Sequence, residues 1–232
     1  MRFRSLVCLL VAGAALSAQA LTPRFISFPD VHGDRVVFTW EGDLWLGSLK
    51  GGEARRITTH PGVETMARFS PDGKWIAFSA QYDGGLEVYV MPSEGGAPKR
   101  LTFRGPAQVD GWTADSTKVL FHATYEANQR PIDRLYAVDL AGHEPEPLPL
   151  EKAVQGTFSP DGSKLAFSTK GLPDYYWKRY KGGRHQDLWI GDLKAKRFEP
   201  LTDYVGRNSY PMWAQGKVLF VSDRGPSQLS NL

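Results

Sequence analysis

Cysteine is almost missing from the 232 residues, and the single one is Cys8. That excludes a disulfide-stapled scaffold and a paired-thiolate zinc site, each of which needs at least two. An excess of one charge is missing too: 28 Lys and Arg stand against 25 Asp and Glu, a formal net charge of +3, and no dense basic run stands alone. Neither nucleic acid nor a membrane surface is therefore expected as a partner. There is no Gly-x-Ser-x-Gly elbow, no His-Glu-x-x-His and no Gly-x-x-x-x-Gly-Lys loop, so no nucleophile, zinc centre or phosphate cradle is legible and no metal or cofactor is expected. The five histidines, His32, His60, His122, His143 and His185, are scattered through the chain and read as surface or turn residues.

The one apolar run, Leu6 to Leu16, is short for a bilayer span. It follows a basic start, Met1-Arg-Phe-Arg4, and precedes Ala18-Gln-Ala20, the pattern of a secretory signal peptide cleaved after Ala20. Residues 1–20 are read as that signal and the mature chain as secreted or periplasmic, with no membrane contact after cleavage. Cleavage also removes Cys8, so stability must come from packing.

What is abundant is turn chemistry. The chain holds 24 Gly and 16 Pro, a load that suits turn-rich β architecture and not long helices. Phe69-Ser-Pro-Asp-Gly-Lys-Trp-Ile-Ala-Phe78 recurs as Phe158-Ser-Pro-Asp-Gly-Ser-Lys-Leu-Ala-Phe167. Proline presets φ for a turn and glycine takes the left-handed position, so the motif is a hairpin turn leading into a buried strand. Weaker copies are Trp112-Thr-Ala-Asp-Ser-Thr-Lys-Val-Leu-Phe121, Phe28-Pro-Asp-Val-His-Gly-Asp-Arg-Val-Val-Phe38 and Trp213-Ala-Gln-Gly-Lys-Val-Leu-Phe220. The closing Phe returns after 40, 43, 46 and 53 residues, a period that with strand-rich units marks propeller blades.

A second element recurs in each of the first four units: Asp43-Leu-Trp-Leu-Gly-Ser-Leu49, Leu86-Glu-Val-Tyr-Val-Met91, Arg134-Leu-Tyr-Ala-Val-Asp-Leu140 and Asp187-Leu-Trp-Ile-Gly-Asp-Leu193. A third closes them: Arg56-Ile-Thr58, Arg100-Leu-Thr102, Pro200-Leu-Thr202 and a degenerate Pro147-Leu-Pro149. The fold class is all-β: a propeller of four-stranded antiparallel blades at about 21–62, 63–105, 106–150 and 151–205, with a fifth starting over 206–232 and Leu21–Phe28 supplying the first inner strand. Four units and the opening of a fifth leave the hairpin after Trp213 with an unpaired face, which is expected to promote self-association.

The fourth unit carries an insertion, Lys170 to His185, where other units have a short turn. Tyr176, Trp177, Arg179, Tyr180, Arg184 and His185 are the substrate-binding candidates, because interleaved aromatic rings and cations can hold a peptide by packing and by Arg–carboxylate pairing. Such loops also fold back onto their own sheet with the cations solvated. This insertion, with Gln186-Asp-Leu-Trp-Ile190, Leu201-Thr-Asp-Tyr204, Pro211-Met-Trp213 and Phe220-Val-Ser-Asp-Arg224, resembles the N-terminal propeller of tricorn-type serine peptidases. The repeats alone also resemble non-enzymatic TolB-like propellers that bind protein partners in the periplasm. The tricorn resemblance implies a six-bladed first propeller that gates or presents peptide substrate. It also implies partners within the same chain: a second propeller, a PDZ domain and a serine peptidase core, none of them in these residues. Homo-oligomer formation is a further expectation.

Overall fold

The computed structural model describes residues 26–125, 132–170, 185–226 and 230–232. The expected signal segment lies outside them. Among the described residues there are eighteen strands and no helix. Blade one holds β1 (Ser27–His32), β2 (Arg35–Trp40), β3 (Asp43–Ser48) and β4 (Arg55–Arg56). Blade two holds β5 (Glu64–Phe69), β6 (Trp75–Ala80), β7 (Glu87–Pro92) and β8 (Lys99–Arg100). In blade three are β9 (Ala107–Trp112), β10 (Lys118–Ala123), β11 (Arg134–Asp139) and β12 (Glu146–Pro147). Blade four comprises β13 (Val154–Phe158), β14 (Leu165–Ser168), β15 (Leu188–Asp192) and β16 (Arg197–Pro200), and a hairpin of β17 (Asn208–Ala214) and β18 (Lys217–Ser222) follows. Strands within each sheet lie in chain order and pair antiparallel. The structure is an incomplete β-propeller.

The repeated turn works as its residues dictate. Ser70 Oγ donates to Asp72 Oδ1 at 2.6 Å, Trp75 N donates to Ser70 Oγ at 3.0 Å, and Gly73 sits at φ +70°. Ser159, Asp161 and Gly162 repeat this, with Ser159 Oγ to Asp161 Oδ1 also 2.6 Å. In blade three Thr113 and Asp115 keep the hydrogen bond, and Ser116 takes the left-handed position at φ 62°.

The Arg-Ile/Leu-Thr element also has a physical cause. Thr58 and Thr102 Oγ1 accept the backbone N–H of Leu44 and Val88, starting the third strand, at 2.8 and 2.9 Å. Arg56 and Arg100 reach the acidic residues there, Asp43 at 2.6 Å and Glu87 at 3.0 Å.

The first unit differs from its expected form. Its turn is Gly33-Asp34, with His32 paired to Arg35, and Pro29-Asp30 lies inside the inner strand. That strand runs over Ser27–His32 instead of Leu21–Phe28; residues 21–25 lie outside the described set.

Both faces of blades two and three are buried, which is why their strands read as nearly continuous apolar runs. On β6 and β7, Ile76, Phe78, Tyr89 and Met91 pack with Val37, Leu44 and Leu46 of blade one. Ala77, Val88 and Val90 between them pack the other way, with Val109, Val119, Phe121 and Tyr136 of blade three. Leu120, Leu135 and Ala137 in turn meet Leu165 and Phe167 of blade four. Phe78 and Phe121 are fully buried, each worth about 1.5–3 kcal/mol of transfer free energy.

Candidate functional site

The inner strands β1, β5, β9, β13 and β17 stand side by side and enclose a cavity of about 780 Å³. Each of them is bulged. Phe28 and Pro29 stand opposite the single residue Phe38, Met66 and Ala67 opposite Phe78, Gln155 and Gly156 opposite Phe167, and Tyr210 and Pro211 opposite Phe220. The first residue of each pair is left-handed, with φ of 51°, 54°, 54° and 52°. In β9 the extra residue is Asp110, between Val109 and Gly111. A bulge bends its strand and re-aims side chains, and Phe28, Met66, Gln155 and Tyr210 all line the cavity. Two residues further on, Asp30, Arg68, Thr157 and Met212 line it as well.

Hydrogen bonds tie β1 to β5, β5 to β9 and β13 to β17. Asp30 Oδ2 accepts from Phe69 N at 2.8 Å, and Gln155 Oε1 accepts from Tyr210 N at 3.0 Å. Trp112 Nε1 donates to Arg68 O at 3.0 Å, and Trp213 Nε1 repeats the contact with Thr157 O at 3.1 Å. Ser79 Oγ donates to Ala107 O at 3.2 Å and accepts from Val109 N at 2.8 Å.

Two charged groups in the wall are perturbed. Burial holds the Asp30 carboxyl above its usual range, against the opposing pull of Arg68 and the Phe69 N–H. His122 Nδ1 lies 3.0 Å from both Asp110 oxygens, with side chains 16% and 5% exposed. Burial works to lower this imidazole, but the charge and hydrogen bond of Asp110, with the charge of Asp133, outweigh it and raise it. His122 is thus a half-buried ion-pair member and not the surface or turn histidine that its sequence context suggests. No described serine or cysteine hydrogen-bonds this ring, and among the described residues no three His, Cys, Asp or Glu converge as metal ligands.

The insertion candidates fall elsewhere. Tyr176, Trp177, Arg179, Tyr180 and Arg184 lie outside the described residues. His185 is half-buried at the approach to β15, Nε2 3.1 Å from Asp187 Oδ2, and is not among the residues lining the cavity. Sequence reasoning missed the axial set, Asp30, Arg68 and Asp110–His122. The only sequence signal of Asp30, Arg68 and Asp110 is position on an inner strand, which bulges shift without leaving a motif, and His122 lies on β10 beside them.

Residues 23–232 match the family model described as the tricorn protease N-terminal beta propeller domain. Tricorn protease homolog 1 of Streptomyces coelicolor is 37% identical over 210 residues, 88% of this chain and 19% of that relative. A relative named as a tricorn-like protease N-terminal subunit, from Sulfurisphaera tokodaii, is 30% identical over 182 residues, 73% of this chain and 91% of its own length. The crystal structure of the tricorn protease superposes with a TM-score of 0.74 at 29% identity, over 87% of this chain and 20% of that one. A TolB structure from Agrobacterium tumefaciens gives a TM-score of 0.71 at 22% identity, over 86% of this chain and 70% of that one, a likeness of fold alone. The chain spans 19% and 20% of the two long tricorn relatives. By the match over 23–232, it belongs to the tricorn protease N-terminal β-propeller family.

Proposed function

We propose that this chain is the peptide-handling propeller of a secreted or periplasmic tricorn-type serine peptidase, gating or presenting substrate to a catalytic core that lies outside these residues. The observation that carries the reading is the family match across 23–232 together with a cavity of about 780 Å³ walled by all five inner strands. A pocket of this size is in the range that holds small ligands and short peptide segments. The basic start, apolar run and Ala18-Gln-Ala20 supply the export part of the proposal. Its partners are the further domains of such a peptidase, in the same chain or, as the name of the Sulfurisphaera relative suggests, in a separate subunit.

A photo-reactive peptide carrying a benzophenone residue tests the assignment. Cross-links to the purified chain, mapped by mass spectrometry, should fall on β1, β5, β9, β13 and β17. Labelling confined to the outer strands, or none above that of a denatured control, would overturn it. The purified chain by itself should hydrolyse no peptide, since the peptidase core that this reading implies lies outside these residues. Inhibitor-sensitive turnover of a fluorogenic peptide library that survives purification to homogeneity would contradict this.

A further inference from the structure

A guanidinium withdrawn from water is costly unless an anion or a set of acceptors replaces its hydration. Arg68 sits at such a place. It is half-buried on β5, and it is the one arginine, with no lysine beside it, among the residues lining the axial cavity. Its side chain makes one hydrogen bond, from Nη1 to the Ala67 carbonyl at 2.9 Å. Nε and Nη2 donate to nothing among the described residues.

The wall does not supply the missing anion. The two carboxylates in the lining are committed elsewhere: Asp30 Oδ2 accepts Phe69 N at 2.8 Å, and both Asp110 oxygens lie 3.0 Å from His122 Nδ1. Arg68 acts on the Asp30 carboxyl through its charge, pulling it down, but the two form no ion pair. The geometry left open is specific. Nε–H and the adjacent Nη2–H run parallel along one edge of the planar group, the arrangement that takes both oxygens of a carboxylate at once.

We propose that the Nε–Nη2 edge of Arg68 is a carboxylate fork, which seats an acidic side chain or the C-terminal carboxylate of a peptide in the cavity. The inference rests on the peptide-handling reading above and adds the charged group by which the peptide is held. One guanidinium in a wall that also carries two carboxyls offsets a single negative charge, so a carboxylate suits it better than a phosphate dianion.

The test uses the full chain and three probes, titrated by calorimetry at one fixed ionic strength because salt screens the pairing. N-acetyl-Gly-Glu-Gly amide carries its carboxylate on the side chain, N-acetyl-Gly-Gln-Gly acid carries it at the C-terminus, and N-acetyl-Gly-Gln-Gly amide carries none. At least one of the two acids should bind about tenfold more tightly than the neutral probe, the gain expected of charge-assisted hydrogen bonds. The tighter acid identifies the source of the carboxylate. Arg68→Gln should bring both acids down to the neutral probe, and Arg68→Lys, which keeps the charge and loses the fork, should fall between. Arg197→Gln, on the exposed outer strand β16, should change nothing. Trp112 Nε1 holds the backbone carbonyl of Arg68, so that wall contact does not depend on the side chain replaced. Phenylglyoxal gives a readout without substitution: the tighter acid should slow modification of Arg68, mapped by mass spectrometry, and the neutral probe should not.

Equal binding of all three probes, a preference that survives Arg68→Gln or is lost equally in Arg197→Gln, or a lysine variant that matches the unaltered chain overturns the fork and leaves peptide handling standing. Inorganic phosphate that protects Arg68 as well as the acid does overturns the carboxylate assignment. Binding of none of the probes also overturns the fork, and the cross-linking pattern then decides whether the wider reading falls with it. Should Arg68→Gln fail to fold, protection of Arg68 in the unaltered chain decides, and its absence overturns the proposal.

Discussion

Glu64 opens β5 with no exposed surface at all, although nothing around it in Val63-Glu-Thr-Met66 distinguishes it from a surface glutamate. Its Oε2 accepts from Thr58 Oγ1 at 2.9 Å. Burial, the largest cause, pushes its carboxyl up to about 6, with help from the Asp43 charge and against the Thr58 hydrogen bond and the Arg56 charge. A group raised on folding favours the folded state fully below its ordinary value of 4.5, and that contribution is lost as pH rises through about 6. Unfolding free energy should therefore fall by roughly 2 kcal/mol across that window. In urea titrations Glu64→Gln should flatten the slope between pH 4.5 and about 6, because the amide still accepts from Thr58 but cannot ionise. A variant that keeps the wild-type slope would show that the proton resides elsewhere.

The turns behave in the opposite sense. Asp72 and Asp161 are lowered to about 2, first by the hydroxyls of Ser70 and Ser159 and then by backbone N–H groups. Their contribution is present above the ordinary value of 3.8 and is lost as pH falls through about 2. The Asp72→Asn and Asp161→Asn double variant should start less stable at neutral pH and lose less on acidification. With Glu64 acting above 4.5 and the turns below 3.8, wild-type stability should peak between those values; a peak at neutral pH would contradict the Glu64 assignment. These turns were legible because Ser-Pro-Asp-Gly encodes its own geometry. The inner strand of the first unit was less legible. Pro29-Asp30 imitates a turn, yet Asp30 serves as the acceptor for Phe69 N, a contact set by the neighbouring blade and invisible in local sequence. Gly156 makes the same point, since an added Cβ would lie 2.6 Å from Leu135 Cδ1, and only tertiary packing requires glycine there.

At the scale of the whole molecule, the repeat period specified blades and their order because each unit repeats three local signals. The cavity was not specified in the same way. Its lining depends on inner-strand register, and one bulge moves a side chain from wall to lumen without altering composition. The insertion, by contrast, was conspicuous in sequence, and most of it lies outside the described residues. The last hairpin has two strands where the other sheets have four, with Met212 42% and Leu219 39% exposed. Apolar residues on a short sheet with an open edge invite pairing between chains. Light scattering of residues 21–232 should show concentration-dependent association that Leu219→Lys reduces. A monodisperse wild-type monomer with one cooperative melting transition would remove this expectation.

The ties between inner strands have a mechanical consequence. Asp30 to Phe69, Trp112 to Arg68, Gln155 to Tyr210 and Trp213 to Thr157 each join a blade only to its immediate neighbour. Such an array resembles a stack of coins more than a closed hoop, so disorder introduced at one end spreads by single steps. Blades two, three and four have neighbours on both flanks, blade three is the middle of the stack, and the β17–β18 hairpin is its loose end. Amide protons should exchange with deuterium earliest in that hairpin and latest in β6, β7 and β10, in graded order and not all at once. Uniform exchange across the blades would mean that the stack unfolds as a single block.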